Sequence, residues 1–209
     1  MSETLFGATN HYNYDVLPKS KIILSPEVYG KLCVYAGLAR RTARTEFEYA
    51  TLLYGNEIEH NVIDFSESSA IEDHDLTPRE VDINTDIYGN CSKMVEELRA
   101  NIKSHKYGCI AHVHTHPYVP NFGSNCQYFS NQDMLMLKTL QEDFQYEERK
   151  KDYLAGLIFV PEDDTPAEIS FVFYDANGKK FYRIQDITVH VRRIEMSLRK
   201  NAGRTILML

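Results

Sequence analysis

Residues 111–133 read AHVHTHPYVPNFGSNCQYFSNQD, and this stretch decides the fold expected for the whole chain. His114 and His116 stand at the end of the apolar run YGCIAHVHTH, which is typical of a buried strand. Ser130 and Asp133 open the segment that continues as MLMLKTL, whose apolar residues recur with helical spacing. The pattern therefore predicts a strand that ends in histidines, then a loop, then a helix that begins with a serine and an aspartate.

The two histidines and the aspartate make a candidate set of metal ligands. Alternate residues of a strand share a face and lie about 7 Å apart, so one ion can bridge His114 and His116. Positions three apart on a helix also share a face, so Ser130 and Asp133 can point together towards that ion. We predict one catalytic zinc ion held by His114, His116 and Asp133, with a water in the fourth position whose pKa the metal lowers to about 7. A hydroxyl such as that of Ser130 can donate to the oxyanion that develops when this water attacks an amide.

Amide hydrolysis at such a site also needs a carboxylate that takes the proton of the water and is not itself a metal ligand. The segment TEFEYATLLYG, residues 45–55, supplies two candidates directly before a predicted strand, namely Glu46 and Glu48. On this argument both carboxylates stay open as the general base.

Two boxes of sequence show a resemblance to a known family. Glu48 stands seven positions before Gly55 with Leu53 between them, which resembles the E-x-x-G-x-L-x-G box of JAMM/MPN metalloproteases. The H-x-H-P at residues 114–117, followed by the S-x-x-D at residues 130–133, resembles the second box of that family. Together with the expected order of strands and helices, the resemblance covers most of the chain.

The resemblance implies a fold, an activity and a set of roles. The implied fold is α/β (α+β), a cytidine-deaminase-like sandwich with a mixed curved sheet flanked by helices. The implied activity is zinc-dependent hydrolysis of a peptide or isopeptide bond at the C-terminal tail of a ubiquitin-like protein, for deconjugation or maturation. E1-like and E2-like proteins are the further partners it implies. Glu48 is then the general base, Ser130 steadies the tetrahedral intermediate, and zinc binds to His114, His116 and Asp133.

The chain departs from the pattern of that family in two places. Thr51 stands where the family usually has glycine, and the gap between His116 and the serine is longer than usual. A shorter gap would end at Ser124, but a glutamine then stands where the aspartate is needed. We therefore interpret residues 118–129 as an enlarged loop at the mouth of the site. Three of its residues are predicted to shape substrate choice: Asn121, Ser124 and Tyr128.

Other interpretations of the same residues compete with this one. His112 shares a face with His114 and His116, but the proline after His116 favours the later pair as ligands, so we expect His112 to pack inside or beside them. Cys126 could be an extra ligand, although a small buried apolar role is the simpler expectation. Two alternative functions are a hydrolase that releases a small amino acid from a sulfur-carrier-like protein and a non-catalytic scaffold of the MPN type. Such scaffolds commonly lack the ligands that this chain carries.

Length and composition set the remaining limits. The 209 residues fit a single domain, with its core at residues 20–194, an irregular lead at residues 1–19 and a tail at residues 195–209. The net charge of −7 argues against binding to nucleic acid. The sequence shows neither a membrane-spanning apolar run nor a secretory leader, so we expect a cytoplasmic protein. The four cysteines form no C-x-x-C pair and are expected to be reduced.

Local patterns predict the remaining elements. Ser25 and Pro26 mark the start of a helix. We expect a turn at Asn56 between two strands, and a type I′ turn at residues 177–178. Three leucines are expected on the buried side of the helix that begins at residue 130: Leu135, Leu137 and Leu140. The remaining helices are predicted at residues 94–102 and 130–144. The strands are predicted at residues 21–24, 49–55, 61–65, 107–116, 154–160, 169–174, 180–184 and 187–191.

Overall fold

A computed structural model describes residues 15–16, 21–42, 49–69, 96–98, 100–101, 104, 106–117, 128–146, 152–161, 166–184 and 186–189. Helix α1 spans Pro26–Thr42 and helix α2 spans Asn131–Tyr146. Residues 96–98 and 100–101 are also helical. The strands β1 to β9 are, in chain order, Asp15–Val16, Lys21–Leu24, Ala50–Glu59, Val62–Ser68, Cys109–Pro117, Asp152–Val160, Glu168–Asp175, Lys180–Ile184 and Asp186–Val189.

All these strands form one mixed sheet in the order β1-β8-β7-β6-β5-β3-β4-β2-β9. Strands β8 and β9 lie near opposite ends of this row, although only residue 185 separates them in the sequence. In a flat sheet, seven strand spacings of about 4.8 Å would hold them about 34 Å apart. Two residue steps of chain span only about 7 Å. The sheet must therefore curl until its two ends meet.

Helix α1 lies on the concave face of this curl. It shares one buried cluster with strands from both ends of the row, including Ile22 of β2, Phe171 of β7 and Ile184 of β8. Its start is the predicted one, because Ser25 Oγ accepts a hydrogen bond from the N–H of Val28 at 3.2 Å, as an N-cap residue does.

Helix α2 covers the opposite face of the sheet. Alternation along β5 divides its side chains, since Ile110 belongs to the cluster around α2, whereas Ala111 and Val113 belong to the cluster around α1. Gln141 Oε1 of α2 also accepts the backbone N–H of Tyr153 in β6 at 2.6 Å. The even-numbered residues of β5 therefore face α2.

Gly55 lies where β3 and β4 approach too closely for a side chain. The pairing of these strands shifts register between Tyr54 and Gly55. A Cβ atom at position 55 would stand 2.1 Å from the backbone oxygen of Asp64 and 2.9 Å from the Cα of Phe65. The glycine that closes the sequence box around residues 48–55 is thus required by strand packing.

The turn between β3 and β4 lies at residues 60–61, so the prediction of a turn at Asn56 was wrong. Asn56 continues β3 opposite Asp64, and its Oδ1 accepts the N–H of Gly108 at 2.8 Å. The side chain of Asn56, which was interpreted as a turn signal, therefore binds a backbone N–H that is distant in the sequence. Asn61 has a φ of 62°, a left-handed conformation that asparagine tolerates better than most residues.

The hairpin between β7 and β8 is confirmed, but its turn type was wrong. Four residues, 176–179, connect the strands, and the positive φ of 52° belongs to Lys179. A type I′ turn needs a two-residue loop with positive φ at both positions. The N–H of Asn177 instead donates to Asp175 Oδ1 at 3.0 Å, which closes an Asx-type turn.

Helix α2 buries Leu137 and Leu140 as predicted, but Leu135 is 64% exposed. Met134, Leu137 and Gln141 follow one another at steps of three and four residues and form the buried stripe. Leu135 stands two positions before Leu137, which is about 200° around the helix. The prediction for Leu135 was therefore wrong.

The mixed α/β architecture with a curved sheet is confirmed. One part of the expected irregular lead is ordered, because Asp15–Val16 pairs in parallel with β8. Among the residues that the structure describes, no helix combines the length and the apolar composition needed to cross a bilayer.

Gly55→Ala is expected to lower the free energy of unfolding by about 2 kcal/mol or more, because the backbone of Asp64 must move to admit the new Cβ atom. Gly30→Ala in α1 is the matched control, since nothing lies within 4 Å of its Cβ position. It should raise the free energy of unfolding by about 0.5–1 kcal/mol. Urea unfolding measures both, and equal stabilities of the two variants would contradict the close approach at Gly55.

Candidate metal centre

His112, His114 and His116 lie on the face of β5 that α2 covers. Strand β5 pairs antiparallel with β3 and parallel with β6, so that Ala50 and Leu157 flank His114 on its two sides. Because ladder hydrogen bonds hold both sides of the strand, its side chains cannot slip to the other face without breaking both pairings. The sheet thus fixes which of its faces carries the three imidazoles.

Ser130 and Asp133 form a reciprocal capping box at the start of α2. Ser130 Oγ accepts the N–H of Asp133 at 3.1 Å, and Asp133 Oδ2 accepts the N–H of Ser130 at 2.6 Å. This arrangement satisfies two backbone donors that the first turn of a helix leaves without helical partners. The S-x-x-D motif therefore has a structural role, and that role also orients the carboxylate towards β5.

Candidate ligand atoms of three residues converge between β5 and α2. His114 Nε2 lies 3.0 Å from His116 Nε2 and 3.5 Å from Asp133 Oδ1, and His116 Nε2 lies 3.9 Å from Asp133 Oδ2. Ligand atoms bound tetrahedrally to zinc at 2.0–2.2 Å stand about 3.3 Å from one another. One ligand atom from each residue can be chosen so that all lie within 4.8 Å of one another. These residues could therefore hold a metal ion.

The three residues of the triad differ in burial. The side chain of His114 is 3% exposed, whereas those of His116 and Asp133 are 13% and 15% exposed. Part of the triad is therefore accessible from outside the core.

The charge state of Asp133 suits a metal ligand. Burial raises the pKa of its carboxyl group, but the imidazoles of His114 and His116 and the hydrogen bond with Ser130 outweigh burial and hold the pKa below its usual range. Asp133 is thus ionised at neutral pH. Its ionised form contributes stability above pH about 4, and this contribution is lost as the pH falls.

His112 is buried and lies beside the triad without belonging to it. Among the residues described, neither of its ring nitrogens has a hydrogen-bond partner. Burial, together with the neighbouring His114, lowers the pKa of His112 to about 3, although Asp133 opposes this shift. The imidazole is therefore neutral near pH 7, and the folded state loses stability as the pH falls below about 6.5, where the unfolded chain takes up the proton.

Thr115 stands between two of these histidines in sequence and is buried towards the opposite face of the sheet. Its N–H donates to the backbone oxygen of Tyr49 at 2.9 Å, and its Oγ1 accepts the N–H of Tyr49 at 2.9 Å. The ring of Tyr49 also stacks on Tyr35 of α1, with centroids 6.2 Å apart. The start of β3 is therefore anchored beside the candidate ligands, a contact that sequence analysis missed.

Phe129 is a second residue that sequence analysis missed. It is buried, and its ring meets that of His114 edge-on, with centroids 6.3 Å apart and planes at 73°. Phe129 directly precedes the capping residue Ser130, and it shares a buried cluster with Met134 four positions beyond that cap. An apolar pair at these positions is the hydrophobic staple of a helix start, so the sequence did carry a signal for it.

Several predicted site residues lie outside the described part of the chain: Glu46, Glu48, Asn121, Ser124 and Cys126. Tyr128 of the predicted loop is described and is 42% exposed. Thr51, which replaces a glycine of the family pattern, is fully buried opposite Val113, on the face that packs against α1. The departure at Thr51 therefore points away from the triad.

Comparisons with known proteins add no family to this geometry. No family model matches the sequence, and no curated protein matches it either. An interpretation of the site therefore depends on the triad, on the capping box and on the sequence boxes around them.

Zinc is expected to bind the wild-type chain at one equivalent and to raise its melting temperature. At a free zinc concentration one hundred times the Kd, the free energy of unfolding should rise by about 2.7 kcal/mol. Asp133→Ala should lose the bound metal, because it removes one of three ligands. Glu168→Ala is the control, since Glu168 is an exposed acid on β7. Elemental analysis and thermal melting measure these effects, and an undiminished zinc content in Asp133→Ala would refute the ligand assignment.

Proposed function

We propose that this chain is a zinc-dependent metallo(iso)peptidase of the JAMM/MPN type. The observation that carries the proposal is the convergence of His114, His116 and Asp133 on one point, with Ser130 at the same helix end. A strand supplies the two histidines and a helix start supplies the carboxylate, in the order of the H-x-H-P and S-x-x-D boxes. Zinc is favoured over magnesium or calcium because imidazoles supply two of the three ligands.

When bound, a zinc ion would supply a Lewis acid and a water with a pKa of about 7. The residues of the chain would do the rest. Ser130 Oγ accepts the N–H of Asp133, and a hydroxyl that accepts one hydrogen bond can still donate its own hydrogen. We assign that hydrogen to the oxyanion of the tetrahedral intermediate.

Glu48 is the proposed general base, which takes the proton of the attacking water and passes it to the leaving amine. Support comes from its spacing to Gly55 and from the anchoring of the next residue, Tyr49, by Thr115. Ala50 lies opposite His114, and positions two apart on a strand share a face. A strand that extended back from Ala50 would direct position 48 towards the metal side. Glu46 is the alternative base.

The proposed substrate is the C-terminal tail of a ubiquitin-like protein, free or joined to a second protein through an isopeptide bond. An extended tail can bind along a strand edge, where main-chain hydrogen bonds align the scissile bond. Residues 118–129, with Asn121, Ser124 and Tyr128, are proposed to select the tail. The curved sheet between α1 and α2 supports the cytidine-deaminase-like sandwich that this family implies, and E1-like or E2-like proteins of a cytoplasmic pathway are the proposed partners.

Glu48→Gln should keep the metal but slow cleavage of a ubiquitin-like protein with a C-terminal extension by roughly 10²–10⁴-fold, because no carboxylate then takes the proton of the water. Glu46→Gln is the matched control and should cleave at the wild-type rate. Measured values of kcat/KM and of zinc content decide between the two. An impaired Glu46→Gln beside an active Glu48→Gln would move the base to position 46.

Ser130→Ala should slow turnover by roughly 10²–10³-fold through loss of the oxyanion donor. It should also cost about 1 kcal/mol of stability, because Ser130 caps α2. Ser130→Gly separates the two roles. Glycine lacks the hydroxyl, but at a helix cap it lowers the free energy of unfolding by only about a few tenths of a kcal/mol.

Both serine variants should therefore be slow, whereas only Ser130→Ala should be clearly destabilised in thermal melts. A glycine variant with the wild-type rate would show that the cap alone matters. A normal rate in Ser130→Ala with a damaged Ser124→Ala would reassign the donor to Ser124.

A further inference from the structure

His112 is the least expected buried group near the triad. It is 1% exposed, and neither ring nitrogen has a hydrogen-bond partner among the described residues. A buried polar atom without a partner is destabilising, so an aliphatic residue such as leucine would fill this space at lower cost. Its cross-strand neighbours, Leu52 and Ala155, are apolar and fully buried. We therefore expect the ring of His112 to have a role in the site.

The ring of His112 packs face to face against the ligand candidate His114. Their centroids are 5.2 Å apart and their planes are 17° from parallel, within the range of offset-stacked aromatic pairs. Phe129 meets His114 edge-on at 6.3 Å. We call His112 and Phe129 the aromatic clamp of His114.

Such a clamp has a definite task, because the torsion that turns an imidazole is soft. The χ2 angle of histidine has broad minima, so the side-chain torsion itself does not hold Nε2 in one direction. Ring contacts on more than one side of His114 restrict this rotation. Orientation of a ligating imidazole by its neighbours is what raises metal affinity at preorganised sites.

We propose that His112 and Phe129 are positioning residues of the metal centre, which hold the ring of His114 with Nε2 turned towards His116 and Asp133. The inference goes beyond the proposed peptidase activity and depends only on metal binding by the triad. The clamp acts through shape, so an aromatic ring of another kind at position 112 should serve, whereas an aliphatic side chain should not.

The test is titration of the metal-free full chain with Co²⁺, followed by the visible absorption of the bound ion, and with Zn²⁺ against a chromophoric chelator. His112→Leu should raise the Kd for both metals roughly 3–10-fold, and His112→Phe should keep it within roughly twofold of wild type. Phe129→Leu should raise the Kd in the same direction. Ile110→Val is the matched control. Ile110 lies on the same face of β5 as His112 but two residues further from His114, so this variant should lower only the melting temperature.

Each outcome decides the question. Wild-type affinity in His112→Leu, or an equal loss in His112→Phe and His112→Leu, would overturn the clamp while leaving metal binding and turnover of the wild type intact. If circular dichroism shows that His112→Leu is unfolded, unchanged affinity in Phe129→Leu overturns it instead. A wild-type chain that binds neither metal would overturn the metal centre itself, and the proposed function with it.

Discussion

The double pairing of β5 is the constraint on which the site depends. This strand is hydrogen-bonded to β3 on one side and to β6 on the other, and residues 109–114 are paired on both sides. A shift by one residue would move every side chain of β5 to the other face and would break both ladders. The direction of His114 and His116 is therefore a property of the whole sheet, and the imidazoles are held towards α2 whether or not an ion lies between them.

The first turn of α2 completes the triad with a carboxylate that serves two partners. Oδ2 of Asp133 accepts the N–H of Ser130, while Oδ1 faces the ring of His114. The helix start thus fixes the carboxylate by the same hydrogen bonds that cap it, and the hydrogen bond with Ser130 also helps to lower its pKa. Because Asp133 remains ionised, charge as well as geometry at this helix end favours a cation.

Sequence patterns were sufficient where the physical cause is local. The H-x-H spacing on a strand and the S-x-x-D spacing at a helix start predicted which side chains meet, because strand alternation and helix capping depend on near neighbours. Contacts between distant segments were missed. Asn56 was predicted to be a turn residue, but its side chain accepts a hydrogen bond from Gly108. The hydrogen bonds between Thr115 and Tyr49 depend on which strand lies beside β5. The curl of the sheet likewise follows from a strand order that no local pattern encodes.

The continuity of β8 and β9 has a consequence for how the chain matures. Within residues 180–189, β8 pairs with β7 and β9 pairs with β2. Until this segment leaves the ribosome, both strands present rows of unpaired backbone groups, which are templates for association with other chains. A single ten-residue segment, the last to be synthesised among the described strands, therefore supplies the missing partner of both β7 and β2.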